Sequence, residues 1–380
     1  HRTVNWKAHK LMTDMKRQVV VITGASAGVG RATARAFART GSCLGLLARG
    51  REGLDGARRE VEAVGGMALV IQTDVADPAQ VEAAAAAVEE QFGPIDVWVN
   101  NAMVSVLSPV KDMTPEDFRR VTEVTYLGYV HGTLTALRRM LPRDKGVIIQ
   151  VGSALAYRSI PLQSAYCAAK HAVQGFTEAL WSELIHDGSR VQVTVVQLPA
   201  VNTPQFEWIK TRMPRHPQPV PPIFQPEVIA DAIMWASRHK RREVTVGWPA
   251  VKAILGDKVI PKLLDYYLAV VGYDAQQTDE RVSPDRPHNL WNPVSRDHGA
   301  HGTFDSRARS FSVQWWLNKH RESLLLAAIT LLTGSLWAKR VMRAAHRSSH
   351  SSLGNPGSLV LTRQRHRRRE STLYCGTTSS

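Results

Sequence analysis

Residues 18–30 read "QVVVITGASAGVG". Five apolar or β-branched residues in a row predict a strand buried on both faces. The next segment, "RATARAFART" at 31–40, has the small-residue and apolar spacing of a helix packed on a sheet. Between them Gly24, Gly28 and Gly30 form a G-x3-G-x-G turn. The free N–H groups of the helix start and the positive end of its dipole meet at this turn, so a pyrophosphate fits there. Glycine is needed because a Cβ would block the approach of phosphates and forbid the turn's dihedrals. Taken alone, the stretch reads as such a cradle or as a plain strand-to-helix turn.

Working outward, apolar runs of strand length alternate with helical segments up to residue 247: "SCLGLLAR", "MALVIQTD", "IDVWVNNA", "GVIIQVGS", "VQVTVVQL" and "REVTVG" follow the first strand. This alternation predicts an α/β fold of Rossmann type, a doubly wound parallel sheet of about seven strands in one domain. Residues 199–226 interrupt the rhythm with eight prolines and read as a lid over the carboxyl edge of the sheet.

The chain has 380 residues, 44% of them hydrophobic, enough for a sizeable core and too many for a wholly disordered protein. Its net charge of +15 is mostly terminal: residues 1–17 hold five Lys and Arg against Asp14, and residues 339–370 hold nine against Glu370. The stretch between is close to balanced, which argues against a nucleic-acid-binding domain, and the run "RQRHRRR" lacks aromatics for base stacking. Three widely spaced cysteines without a CxxC pair argue against a disulfide framework or a metal site and fit a reducing, cytoplasmic compartment. The chain begins at His1; Met12 and Met15 are candidate native starts, and no secretory signal precedes the first strand.

In "SAYCAAK", Tyr166 and Lys170 stand four residues apart, on one face of a predicted helix. A nearby ammonium favours phenolate, which would bring the tyrosine into range as a proton donor and acceptor. A half-buried Tyr beside a solvated Lys is the other reading of that spacing. Thirteen residues earlier Ser153 ends a strand, at the sheet edge where ligands sit, with a hydroxyl able to donate to an oxygen gaining negative charge. Tyr157 has Pro161 four residues on, so it lacks a lysine partner.

Together these residues resemble the short-chain dehydrogenase/reductase family, over about residues 18–250. Five ordered motifs carry the likeness: "TGASAGVG", "DV" at 74–75, "NNA" at 100–102, Ser153 with Tyr166 and Lys170, and "PAVNT" at 199–203. The resemblance implies a nicotinamide dinucleotide held by Gly24, Ser26, Gly28, Val29 and Gly30 at its phosphates, by Asp74 and Val75 at the adenine, by Asn101 and Ala102 beneath it, and by Pro199 and Thr203 at the carboxamide. It implies Tyr166 as acid/base, Lys170 lowering its pKa and holding the ribose, and Ser153 orienting a carbonyl. The family often has Asn where this chain has Thr125; Met103 replaces a usual Gly, and Ala200 a common one. These departures keep open a second reading, a cofactor-binding but catalytically weak sensor or scaffold.

At the end of the second strand Ala48 stands where an acidic residue would bind an NAD ribose, and Arg49 follows, able to fork onto a 2′-phosphate; NADP is expected over NAD. Phe206, Trp208, Met213 and Phe224 of the lid, with Leu155, Ile160 and Pro161, point to an apolar carbonyl or alcohol substrate. From the family a homo-oligomer, dimer or tetramer, is expected through the helices near 115–141 and 163–187. Residues 251–310 read as an extension, a short helical stretch "AVKAILGDKVIPKLLDYYLAVVG" followed by an irregular polar segment without assigned function. Residues 311–342 read as an apolar helix whose uncharged core, 323–338, is short for a span but flanked by Trp315, Trp316 and Trp337 as candidate interfacial anchors; it reads as a membrane-associated segment or as a helix packed on the domain or on a partner subunit. Residues 343–380 read as a basic disordered tail.

Overall fold

The computed structural model describes residues 17–283 and 285–351. The expected basic N-terminal segment and most of the expected tail lie outside the described residues.

All seven expected strands form one parallel sheet: β1 (Val19–Thr23), β2 (Cys43–Ala48), β3 (Met67–Gln72), β4 (Val97–Asn100), β5 (Val147–Val151), β6 (Gln192–Gln197) and β7 (Glu243–Thr245). Their order across the sheet is β7-β6-β5-β4-β1-β2-β3. The chain order reverses between β1 and β4, which places a crevice at their carboxyl ends. β1 is buried at every position, because helices cover both faces and each side chain enters one of two apolar layers.

Helix α1 (Gly28–Ala38) packs with Phe37 and Ala34 in one layer. Helices α2 (Arg51–Ala63) and α3 (Pro78–Phe92) follow β2 and β3, and Asp77 caps α3 by accepting from the Ala79 N–H. Helix α4 (Pro115–Thr122) continues through a π-helical turn, Glu123–Leu127, into α5 (Gly128–Met140). Helix α6 (Ser164–His186) carries Tyr166 and Lys170.

The proline-rich segment holds one short helix, α7 (Gln205–Trp208), and is tied down by short strand pairs. Lys210–Thr211 pairs with Val106–Leu107, and Arg215–Pro217 with Gln277–Arg281. Helix α8 (Pro226–Ala236) then precedes β7.

The region expected to be an irregular extension is built into the domain. It begins with helices α9 (Trp248–Val259) and α10 (Pro261–Val271). It then runs as a strap over residues 289–305 and ends in α11 (Val313–Lys319). The compact unit extends to Lys319, so the boundary lies past the 310 expected from composition. Trp315 is not an interfacial anchor: it is buried, its Nε1 donates to Asp231 at 2.7 Å, and its ring meets Trp235 edge-on. Its amphipathic ring found an apolar wall and a carboxylate within the domain itself.

The second unit contains α12 (Arg321–Ser351), which continues past the expected end at 342. Its stretch Arg321–Arg343, 23 residues with mean hydropathy 1.4, is long and apolar enough to cross a membrane and is not buried by protein. The uncharged core alone fell short; the helix gains length because its flanking charged residues are also helical.

Candidate active site

A cleft of about 440 Å³ opens along the carboxyl ends of β1, β2, β4, β5 and β6. It is bordered by Gly24, Ser26, Gly28, Val29, Arg49, Asp74, Val75, Asn101, Ala102, Ser153, Tyr166, Lys170, Pro199 and Thr203. Fourteen of the sixteen expected site residues thus share one surface, although they come from six separate loops and a helix.

At the turn, Gly24 and Gly28 have φ of +67° and +57°, the left-handed region that excludes most side chains. Gly30 does not border the cleft. A Cβ there would run into the carbonyl of Gly24, so its role is close packing of α1 on the turn. Of the first-turn N–H groups of α1, Gly28 donates to Gly299 O at 3.2 Å and Arg31 to Ala27 O. Those of Val29 and Gly30 find no acceptor among the described residues, and a helix leaves its first N–H groups for such outside partners. Asn101 binds β4 to this turn, its Nδ2 donating to Thr23 O at 2.9 Å, while Thr23 Oγ1 accepts from the N–H groups of Asn101 and Ala102. Asp74 Oδ2 is held at 2.5 Å by Arg120.

Ser153 stands at the end of β5, where its N–H donates to Gln197 Oε1 at 2.8 Å and its Oγ accepts from the Leu155 N–H. Lys170 is almost fully buried. Its Nζ donates to Val151 O at 2.7 Å and to Tyr129 Oη at 2.9 Å. Burial draws its amine down to about 7, so the group loses its charge near neutrality. The expected lowering of the Tyr166 phenol is corrected: burial pushes it up instead, with the Ser153 hydroxyl acting in the opposite sense. Lys170 Nζ lies 5.6 Å from the Tyr166 ring centre and spends its donors on Val151 and Tyr129.

Thr125 is the second correction. It lies in the π-helical turn, does not border the cleft, and its hydroxyl is occupied by Val104, donating to the carbonyl at 2.8 Å and accepting from the N–H at 3.0 Å. Tyr129, four residues on, borders the cleft and is the side chain that meets Lys170. Sequence reasoning passed over it; the signal was the one-turn spacing from Thr125, which puts both on one face. Tyr157 hydrogen-bonds Glu243 at 2.6 Å, outside the cleft.

Arg49 borders the cleft, but the free fork expected of it is partly used. Its Nη1 donates to Trp291 O at 2.8 Å and Leu290 O at 3.3 Å, and its Nη2 to Asn289 O at 2.5 Å. Arg120 also donates to Leu290 O and lies under the Trp291 ring. Of the apolar residues expected to line a substrate pocket, Phe206, Trp208, Leu155 and Ile160 border the cleft. Met213 and Phe224 instead pack into core clusters, and Pro161 packs near Gly272.

A parallel sheet with its crevice at the β1/β4 switch, a glycine turn at a helix start and a buried Lys near Tyr define a dinucleotide-binding protein of the doubly wound class. The family model described as short chain dehydrogenase matches residues 18–213, and the chain belongs to that family. An uncharacterized oxidoreductase of Bacillus subtilis, YxnA, is 32% identical over 277 residues, covering 72% of this chain and 77% of its own. Dehydrogenase/reductase SDR family member 7 of Homo sapiens is 36% identical over 183 residues, 47% of this chain; the chain spans 54% of that relative's length. The fold is similar to an alcohol dehydrogenase from the archaeon Thermococcus sibiricus solved with 5-hydroxy-NADP, at a TM-score of 0.53 and 26% identity, covering 60% of this chain and 96% of that one. The chain is therefore an oxidoreductase of alcohol and carbonyl groups in a family that uses NAD(P), acts on small molecules and commonly forms oligomers.

Proposed function

We propose that the chain reduces and re-oxidises an apolar carbonyl/alcohol pair with NADP(H), using Tyr166 as acid/base. The observation that carries this reading is the meeting of Ser153, Tyr166 and Lys170 in the cleft that also holds the glycine turn. The unpaired N–H groups of Val29 and Gly30 fit the phosphates of a dinucleotide. When bound, the nicotinamide supplies or accepts the hydride. Tyr166 holds the proton that the substrate oxygen takes up, Ser153 orients that oxygen, and Lys170, with Tyr129 behind it, holds the nicotinamide ribose. Asp74 and Val75 border the adenine end, and Pro199 and Thr203 the carboxamide end. Phe206, Trp208, Leu155 and Ile160 make the substrate end apolar and keep water from the reacting oxygen.

Support for NADP comes from Arg49. A guanidinium has five N–H donors, and three carbonyls of residues 289–291 take three of them. The Nε–H and one Nη2–H remain on a side chain already fixed in place, the edge that grips a phosphate bidentately. The similar alcohol dehydrogenase solved with an NADP derivative agrees with this choice. The test follows NADPH and NADH absorbance with the full chain against aldehydes, ketones and quinones. NADPH should be preferred, and Arg49→Gln should cut that preference about tenfold, as for loss of a charge-assisted contact. Equal use of both cofactors by the unaltered chain would sink the NADP assignment.

For α12 we propose membrane attachment, with the domain facing the cytoplasm and assembled as a homo-oligomer. In sedimentation velocity the full chain should pellet without detergent and run with it as a discrete, detergent-bound dimer or tetramer. A detergent-free, non-aggregated species that binds no detergent would refute attachment.

A further inference from the structure

Helices α9 and α10 turn their apolar stripes outward. In α10, Leu263, Tyr266, Tyr267 and Val270 stand at i, i+3, i+4 and i+7, the stripe that a surface helix normally gives to its core. In α9, Trp248, Leu255 and Val259 fall on one face by the same period. All seven side chains are between 53% and 77% exposed. Ala250 is the only buried residue of the two helices.

The pair is nevertheless fixed to the domain. Arg158, in the loop after β5, donates to Asp257 Oδ1 at 3.1 Å and to Asp265 Oδ1 at 2.5 Å, so one guanidinium takes an acid from each helix. Gln276 Nε2 donates to the carbonyls of Pro161 and Gly272, at 2.8 and 2.6 Å, just past the end of α10. On the side of α9 away from its stripe, Pro249, Ala250 and Ala253 border the cleft.

Charge is sorted in the same way. Asp257 and Asp265 are the only acids of the two helices, and Arg158 engages both. Lys252, Lys258 and Lys262 are exposed and have no ion-pair partner among the described residues, and Lys252 stands within the α9 stripe, one turn after Trp248. The face is therefore apolar, carries Trp and Tyr, and is positive. Those are the properties of a surface lying in the headgroup layer of an anionic bilayer, where aromatic rings sit at the interface and lysine stems reach to the phosphates. A symmetric contact with a second copy would instead bring unpaired lysines together. The compact unit is joined at Lys319 to α12, whose stretch Arg321–Arg343 is long and apolar enough to cross a membrane.

We propose that the α9–α10 face is a second membrane contact, lying flat in the headgroup layer of an anionic bilayer. It rests on membrane attachment as read above for α12, and on neither the cofactor nor the substrate. Tethering keeps the effective lipid concentration high, so a face too small to bind from solution still docks. The cleft wall then lies within one helix diameter, about 10 Å, of lipid.

The test is lipid photo-crosslinking of the full chain in nanodiscs of phosphatidylcholine with or without phosphatidylserine. The discs carry a phospholipid with a diazirine near its headgroup, and labelled peptides are mapped by mass spectrometry. Label should appear on residues 321–343 and on residues 248–273. On 248–273 it should rise about fivefold with phosphatidylserine, the size expected for one lysine near an anionic surface. Leu263→Glu combined with Val270→Glu, both at exposed positions, should lower that label by about tenfold, the worth of burying one such side chain. Label on 321–343 and NADPH binding should not change. Replacing Lys252, Lys258 and Lys262 together by Gln should remove the dependence on phosphatidylserine. Label confined to 321–343 would overturn the inference and leave the attachment of α12 standing, whereas no lipid label on either segment would overturn both. Cross-links joining 248–273 of two copies, in place of lipid label, would overturn it in favour of self-association.

Discussion

Replacing Tyr166 by Phe is expected to lower kcat for carbonyl reduction by about a thousandfold, within the range that a positioned acid contributes. NADPH affinity should stay unchanged, because the ring remains and only the phenol oxygen goes. The argument rests on placement and on protonation together. Burial pushes the phenol above its ordinary value, so it is fully protonated at neutral pH and ready to donate. In the reverse direction the same residue must first lose that proton. Reduction should therefore be nearly flat through neutrality, while alcohol oxidation climbs with pH towards the alkaline range. Steady-state turnover in both directions, with single-turnover mixing to separate chemistry from release, checks this. A Phe variant retaining more than about a tenth of the turnover would remove Tyr166 from the chemistry, since even weak acid catalysis is worth a hundredfold. The cofactor-binding sensor would then be the better account of the cleft.

The second large effect is on stability and comes from Arg31. This side chain is only 3% exposed and serves four partners at once. It pairs with Glu60 and Asp297 and donates to the carbonyls of Ser26 and Gly53. Arg31→Met keeps much of the volume but strands two carboxylates and two carbonyls. Breaking a buried pair costs about 3–5 kcal/mol, and because Glu60 and Asp297 are each about a third exposed, the lower end applies, about 3 kcal/mol. For a domain of this size that is roughly 5–10 °C in Tm. Arg31→Lys should rescue little, because one ammonium cannot serve a planar four-way fork. Burial alone would raise the Asp297 carboxyl, but hydrogen bonds from Arg31 and the Gly299 N–H outweigh it and hold it below the ordinary value. The strap's tether is thus fully present above about pH 4 and is lost as pH falls through the lowered value. Thermal unfolding by circular dichroism with and without NADPH checks the variant; a shift under about 2 °C would show that the tether carries little of the fold's stability.

Much of this architecture was legible in the linear chain because its signals are local. Strands β1 to β7 are short β-branched or apolar runs between turn residues, and in the inner strands burial on both faces leaves that pattern whatever the neighbours are. The glycine turn reads from three positions within seven residues, and Tyr166 and Lys170 share a face because they are one helical turn apart. The order of the strands across the sheet comes from the tertiary structure. By itself, then, the sequence determined the α/β class, the crevice at the carboxyl edge and fourteen of the residues around it. The tertiary structure alone decided how those groups are used. Thr125 is spent on the backbone of Val104 while Tyr129 meets Lys170, because a hydroxyl takes the partner that folding brings within reach. Burial, which no spacing reveals, moves Tyr166 up and Lys170 down. The strap carries no periodicity at all; its contacts to Arg31 and Arg49 span 266 and about 240 positions, and single ion pairs and carbonyl contacts at such range leave no pattern in a chain until packing forces them together.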